Sequence, residues 1–274
     1  MTTPETLAAM IPDGASVILP KGEGPDAPVA LAKALIRRGA RDLHLITLPA
    51  CAAPVSGMMV DMLIGAGCVA RVETSGVSLG ELGPAPAFNR AVTSGAVTVT
   101  DATCPALYAA VQAGGKSQPF ATLRGIIGSD LERMRDDWVV IDNPFQPGDK
   151  VVALKAINPD VAMFHAPMAD REGNLWIGRG RDLLYAAHAS KVVLATVETV
   201  VDTCFYDDDA LAAGVLPAFY VSAIAHAPGA SLPMRMDATV DLDAVRAYAG
   251  AARSEAGLQD WLAREVFAAR SAAE

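Results

Sequence analysis

The sequence predicts an α/β protein built on an open, mostly parallel sheet with crossover helices. Two observations carry that expectation. Strand and helix signals alternate along the 274 residues, without a repeat of about 20–50 residues and without a low-complexity tract. The run from Val151 to Gly178, VVALKAINPDVAMFHAPMADREGNLWIG, also holds two apolar strands that each end on polar residues. Open α/β sheets build ligand sites at strand ends of this kind. The length admits one large domain or two modest ones, and a single domain over 1–274 is expected.

Taken in order, Ser16 to Leu19 reads as the first strand, followed by the loop Lys21-Gly22-Glu23-Gly24-Pro25-Asp26. Asp26 is expected to cap a helix with the apolar stripe Val29, Leu31, Leu35 and Ile36, which Gly39 ends. Leu43 to Leu48 is the next strand. Met58 to Ile64 reads as helix stopped by Gly65-Ala66-Gly67, and Val69 to Glu73 as strand. Pro86 to Ser94 is a helix ended by Gly95, and Val97 to Thr100 a short strand. Cys104 to Ala113 is helical, with Pro105 tolerated in its first turn. Gln118 to Leu123 is strand. Glu132 to Asp149, rich in charge, Pro and Gly, reads as irregular around Trp138. Strands at Val151, Val161 and Val192 bracket a helix over Arg181 to Ala189. From Leu242 onward, i, i+3, i+4 spacing predicts one or two helices packed across the outside or against a partner.

Hydrophobic residues make up 52% of the chain and charged residues 19%, with a mean hydropathy of +0.29. That is little charge for the surface of a soluble monomer, and it implies an apolar face covered by a partner, or else a large alanine-rich core. The formal charge of -9 excludes a nucleic-acid binder, which needs clustered Lys and Arg. No apolar run approaches the roughly 18–20 residues that cross a bilayer. The start, MTTPETLAAMIPDG, lacks a basic segment and an apolar core, so no export signal, and a cytoplasmic location, are expected. Cys51, Cys68, Cys104 and Cys204 form no CxxC pair and are expected as reduced thiols. His44, His165, His188 and His226 are isolated, so no metal site is expected.

Three loops carry the candidate chemistry. Gly22, Glu23 and Gly24 lie where the first strand gives way to a helix. Backbone amides there can cradle an anion, or form an ordinary turn, since the segment has neither the Lys-Ser/Thr of a phosphate loop nor GxGxxG. Ser75, Gly76 and Ser78, in TSGVSLGE after the Val69 strand, offer small hydroxyls and close backbone approach. Arg124 and Ser129, in RGIIGSD, put a guanidinium suited to carboxylates at a strand end, or in a surface pair with Asp130 or Glu132. Cys104 starts a helix but has no visible His or Asn partner and reads as a packed thiol. Glu23, Glu73, Glu81 and Glu198 are candidate carboxylate nucleophiles, none marked out as desolvated or paired.

The collinear series IPDGASVIL, VALAKALIRRGARDLHLIT, VDMLIGAGCVARV, AFNRAVTSGAV, AAVQAGGKSQPFATLRGIIGSDL and the run through GNLWIG resembles the A (alpha) subunit of the family I CoA-transferases, in the glutaconate-type branch. HASKVVLATVETVVD and AFYVSAIAHAPGASLP continue the likeness. The resemblance implies a CoA-transferase (NagB/RpiA-like) fold, no cofactor beyond a coenzyme A thioester as substrate, and a partner B subunit in an α2β2 assembly. It implies transfer of CoA between an acyl-CoA and a free carboxylic acid. In that chemistry a glutamate of the B subunit forms an anhydride by attacking the thioester. The freed CoA thiolate then gives a glutamyl-CoA thioester, and the second acid completes the exchange. This chain has no Glu-Asn-Gly, so no catalytic residue is expected on it, and it is expected to be inactive alone. The resemblance places Ser75, Gly76 and Ser78 near the acyl group, with Arg124 and Ser129 as polar contacts. Where relatives carry a double-glycine aromatic turn, this chain has Lys21-Gly22-Glu23-Gly24, and its charge leaves the cation for the CoA phosphates to a local patch or another subunit. Two other functions stay open. One is a ring-opening hydrolase of steroid-derived CoA thioesters, disfavoured by Thr103-Cys104-Pro105-Ala106 where a Glu is needed, with Asp101 nearby. The other is a non-catalytic acyl-CoA-binding subunit.

Overall fold

A computed structural model describes residues 1–268. Along the chain run α1 (Pro4–Ala9), β1 (Ser16–Pro20), α2 (Val29–Arg38), β2 (Leu43–Leu48), α3 (Pro54–Gly65) and β3 (Val69–Thr74). Next come α4 (Pro86–Ser94), β4 (Thr98–Asp101), α5 (Cys104–Gly115), β5 (Phe120–Leu123), α6 (Asp130–Met134), β6 (Trp138–Asp142) and β7 (Lys150–Lys155). Then follow β8 (Val161–Asp170), β9 (Leu175–Trp176), α7 (Arg181–Ala189), β10 (Val192–Val201), α8 (Asp209–Ala212), β11 (Val215–Leu216), β12 (Ala223–His226), α9 (Leu242–Ala251) and α10 (Glu255–Leu262). No helix among the described residues is long and apolar enough to cross a membrane.

The main sheet is the open parallel one that the alternation predicts. β1 pairs in parallel with β2 on one side and β8 on the other. From β2 the sheet continues to β3 and β4, and from β8 to β10 and β12. Only the short β9 and β11 are antiparallel, attached at the far end of β8. The order reverses at β1, so the crevice between β1 and β8 is where such sheets receive ligands.

Both faces of the sheet are covered, which explains the apolar composition. Val17, Leu19, Leu43 and Leu45 join one core with α2, α3, α9 and α10. The alternate residues Ile18, Ile46 and Leu48 join a second core with α5, α7 and the small sheet. On the first side, buried Asp61 of α3 accepts the Phe88 amide at 2.6 Å and the Tyr248 hydroxyl at 2.7 Å, tying α4 and α9 to α3.

Three expectations are corrected. Residues 132–149 are not irregular: α6 and β6 form there, and β5, β7 and β6 make a separate antiparallel sheet. The two apolar strands of the Val151–Gly178 run therefore belong to different sheets, β7 to the small one and β8 to the main one. Asp26 does not cap α2; Pro28 holds the cap position without a side-chain bond, and Asp26 lies in the preceding loop.

Candidate active-site cleft

The carboxyl ends of β1 and β2 and the start of α5 enclose a cleft of about 500 Å3. Its walls include Lys21 and Glu23 after β1, Ala50 and Ala52 after β2, and Cys104 and Tyr108 of α5. Thr103 caps α5 by accepting the Ala106 amide. One helical turn then brings Tyr108 to the same wall as Cys104.

Hydrogen bonds lock the loops to one another. The Thr47 hydroxyl donates to Thr74 Oγ1 at 2.7 Å. Cys51 N–H donates to the Gly76 carbonyl at 3.1 Å, and Ser78 N–H returns to the Cys51 carbonyl at 3.2 Å. The Ser75 hydroxyl donates to the Pro49 carbonyl at 2.9 Å and lies 3.1 Å from Cys104 Sγ. Gly57 of α3 packs so closely on the Ser78 carbonyl that a Cβ there would sit 1.7 Å from its oxygen. Burial drives the Cys51 thiol far above the ordinary range, so it stays a neutral thiol donating to the Pro20 carbonyl.

At the β1 end, Lys21 Nζ meets Glu23 Oε2 at 2.6 Å. The Glu23 hydrogen bond is the main cause that raises the lysine's pKa. Gly22 has φ +70°, and its missing side chain leaves the space Ser56 fills while bonding the Lys21 carbonyl at 2.6 Å. The Gly24 carbonyl accepts the Asp26 amide, and the Asp26 carbonyl accepts His165 N–H at 2.7 Å across the β1–β8 crevice. Asp26 keeps a buried carboxyl oxygen without a hydrogen-bond partner, as does Asp182 of α7. Burial first, then the Asp182 charge, pushes Asp26 up to about 7; burial likewise raises Asp182. His165, fully buried, has Nδ1 2.9 Å from Thr196 Oγ1 and Nε2 3.5 Å from Glu198 Oε2. Burial holds it down to about 4, so it is neutral at pH 7.

The signs of these shifts oppose one another. Asp26 titrates at 3.8 unfolded and about 7 folded, so the native state holds extra proton in that window and its stability falls as pH rises through it. His165, and His44 likewise held down to about 4 by burial, lose native stability as pH falls from 6.5 toward 4. Asp26→Asn is therefore expected to stabilise the protein at pH 8 by on the order of 1–3 kcal/mol and to leave it unchanged near pH 3.5. Urea unfolding at both pH values checks this; equal gains at the two would refute it.

Of the eight residues singled out by the sequence, the structure puts Glu23 in the cleft lining, Ser75 against the lining residues Pro49 and Cys104, and Gly22, Gly24, Gly76 and Ser78 in the two loops that carry them. It does not bring Arg124 and Ser129 there. Arg124 follows β5 of the small sheet and forms an ion pair with Asp149, while Ser129 caps α6. The 170–174 turn is a structural latch rather than a ligand loop. Asp170 accepts the Glu172, Asn174 and Phe205 amides and the Asn174 side-chain amide.

Tyr108 and Arg135 are the additions that sequence reasoning missed, Lys21 is read there only as part of the 21–26 loop, and Cys104, expected as a packed thiol, is exposed. Arg135 is buried and donates to Glu73 at 2.7 Å, to both Asp137 oxygens at 2.8 Å and to the Asp101 carbonyl at 3.0 Å. It thereby fixes the ends of β3 and β4 beside the cleft. The i, i+4 spacing of Cys104 and Tyr108 could have signalled their pairing; no local pattern signals Arg135.

A parallel sheet whose strand-end loops line an open cleft is an α/β ligand-binding scaffold. This chain belongs to the coenzyme A transferase family, whose model matches residues 1–227. It is 32% identical over 240 residues to the A subunit of the 3-oxoadipate CoA-transferase of Pseudomonas knackmussii, covering 85% of this chain and 80% of that one. The crystal structure of glutaconate coenzyme A-transferase from Acidaminococcus fermentans shares the fold, with a TM-score of 0.86 over 97% of this chain and 88% of that one at 23% identity. A decarboxylase, AibA/AibB, crystallised as a cysteine-to-serine variant, aligns at 31% identity over 95% of this chain and 97% of its own, with a TM-score of 0.79.

Proposed function

We propose that this chain is the A subunit of a heteromeric cytoplasmic CoA-transferase that moves CoA between an acyl-CoA and a free carboxylic acid. Its share of the work is to shape the acyl pocket, while a B-type partner, in an α2β2 assembly, supplies the nucleophilic glutamate. The observation that carries this reading is the composition of the cleft. It offers the Tyr108 hydroxyl, with Ser75 adjoining through Cys104, a lysine and small apolar walls, and Glu23, the one carboxylate among its lining residues, is tied to Lys21. Two of the other three candidate glutamates also support a nucleophile from elsewhere. Glu73 is held by Arg135, and Glu198 accepts the Gly229 amide at 2.7 Å while facing His165.

Within the cleft, the Ser75 hydroxyl would position the acyl group, on a loop that the Gly76 and Ser78 backbone bonds to Cys51 and Thr74. Lys21 would offset negative charge as the partner's carboxylate attacks the thioester carbonyl and the C–S bond breaks. No cofactor beyond the thioester substrate is required.

A decarboxylase reading is the second, favoured by the 31% identity to AibA/AibB across almost the whole chain. The hydrolase reading is weaker. Asp101 ends β4 with an exposed side chain, and the helix start beside it carries Thr103 and Cys104 rather than a glutamate. Reconstitution separates them. The chain is purified alone and with a B-type chain of the family, then given acyl-CoA with and without acceptor acids. CoA transfer that needs both partner and acceptor is the expected result. Carbon dioxide release without an acceptor would establish the decarboxylase, water-dependent C–C cleavage the hydrolase, and binding without turnover the non-catalytic role.

A further inference from the structure

On the sheet face opposite the small sheet, α2, α3, α9 and α10 and the 232–241 segment enclose a pocket of about 310 Å3. That volume is at the lower end of small-molecule sites, which run from about 300 to 1,000 Å3. Met58 and Trp261, both buried, give it an apolar floor, with the exposed Leu232 at its rim. Lys33 enters from α2 with its Nζ 5.8 Å from the centre of the Trp261 ring. The ammonium is half-buried and makes no ion pair among the described residues. A partly desolvated cation of this kind is costly without a counter-charge.

Two carboxylates line the pocket, and neither forms an ion pair with Lys33 among the described residues. Asp241 caps α9 through Oδ1, which accepts the Asp243 and Ala244 amides at 3.1 and 3.0 Å. Glu265 is exposed and acts on Lys33 only as a nearby charge. Arg235, exposed at the rim, adds a second cation.

We propose that this pocket binds a small organic carboxylate, its apolar body on Trp261 and Met58 under the Leu232 rim and its carboxylate on Lys33 with Arg235 at the mouth. A ring-sized acid such as benzoate matches the volume, the indole floor and the single inward cation. The site needs neither turnover nor the cleft residues; titration of the complex rests on the heteromeric reading above, whereas titration of this chain alone does not.

The experiment is calorimetric titration of the complete complex, repeated on this chain alone, with benzoate and with benzamide, which has nearly the same shape and no charge. Saturable benzoate binding, with benzamide weaker by about tenfold or more, is expected. Lys33→Met should weaken benzoate by a similar factor while leaving benzamide unchanged. Ala247→Phe, which fills the pocket, should remove benzoate binding, with unchanged thermal melting and near-UV circular dichroism confirming that both variants fold. Equal affinity for benzoate and benzamide, a Lys33→Met variant that binds like the parent, or no saturable binding would overturn the proposal. Binding to the isolated chain that disappears in the complex would also overturn it, because the partner would then be the occupant.

Discussion

Arg135→Met should destabilise the protein by about 3–5 kcal/mol, read as a lowered urea midpoint. The guanidinium sits 4.5 Å over the Trp138 ring and ion-pairs with Glu73, both side chains being less than a tenth exposed. Removing it leaves the Glu73 carboxylate buried, facing only His44 Nε2 at 3.7 Å, which is neutral at pH 7 because burial holds it down to about 4. An uncompensated buried charge is the expensive outcome; loss of the pair as a whole is not. The double variant Arg135→Met/Glu73→Leu should therefore regain most of the loss. Arg135→Lys should fall between, since an ammonium cannot reproduce the fork to Asp137, Glu73 and the Asp101 carbonyl. A single-variant loss below about 1 kcal/mol would mean the network is solvated and does not anchor the strand ends.

Gly57→Ala is the second large effect, and it acts on the cleft directly. The Ser78 carbonyl cannot simply retreat from a new Cβ. Its segment is held by Ser78 N–H to the Cys51 carbonyl and by Leu79 N–H to the Gly83 carbonyl at 2.8 Å. Helix α3 must shift or the 75–79 loop must break its bonds, at a cost of about 2–4 kcal/mol, and transfer activity of the complex should fall with it. Gly76→Ala is the matched control. Its Cβ would meet nothing within 4 Å, so stability should stay within about 0.5 kcal/mol and any change should appear in activity alone. Gly57→Ala with wild-type stability and activity would show that the close packing on Ser78 is not needed.

How much of this was legible in the sequence depends on whether the signal is local. Strand β2 and helices α4 and α7 lie where their apolar spacing and Gly or Pro stops put them, because such signals act within a few residues. The 74–78 and 22–24 loops were legible for the same reason, as glycines and hydroxyls following an apolar strand. The small sheet was not. β6 is stabilised by pairing with β7 and by Arg135, whose partner Glu73 is 62 residues away, while the charge before its short apolar run and the Pro and Gly after it read as loop. Arg124 misled because a strand end is recognisable locally, but membership of a particular sheet is not. Asp26 had the composition of a cap, yet the carbonyl link to His165 across the crevice holds it in the loop instead.

The most direct test is mass spectrometry of the reconstituted complex quenched during turnover with acyl-CoA. A coenzyme A adduct on a glutamate of the partner, and none on this chain, is the predicted result. An adduct on Glu23 or Cys104 of this chain would contradict that division of labour, because the reactive group would then belong to the chain that shapes the pocket.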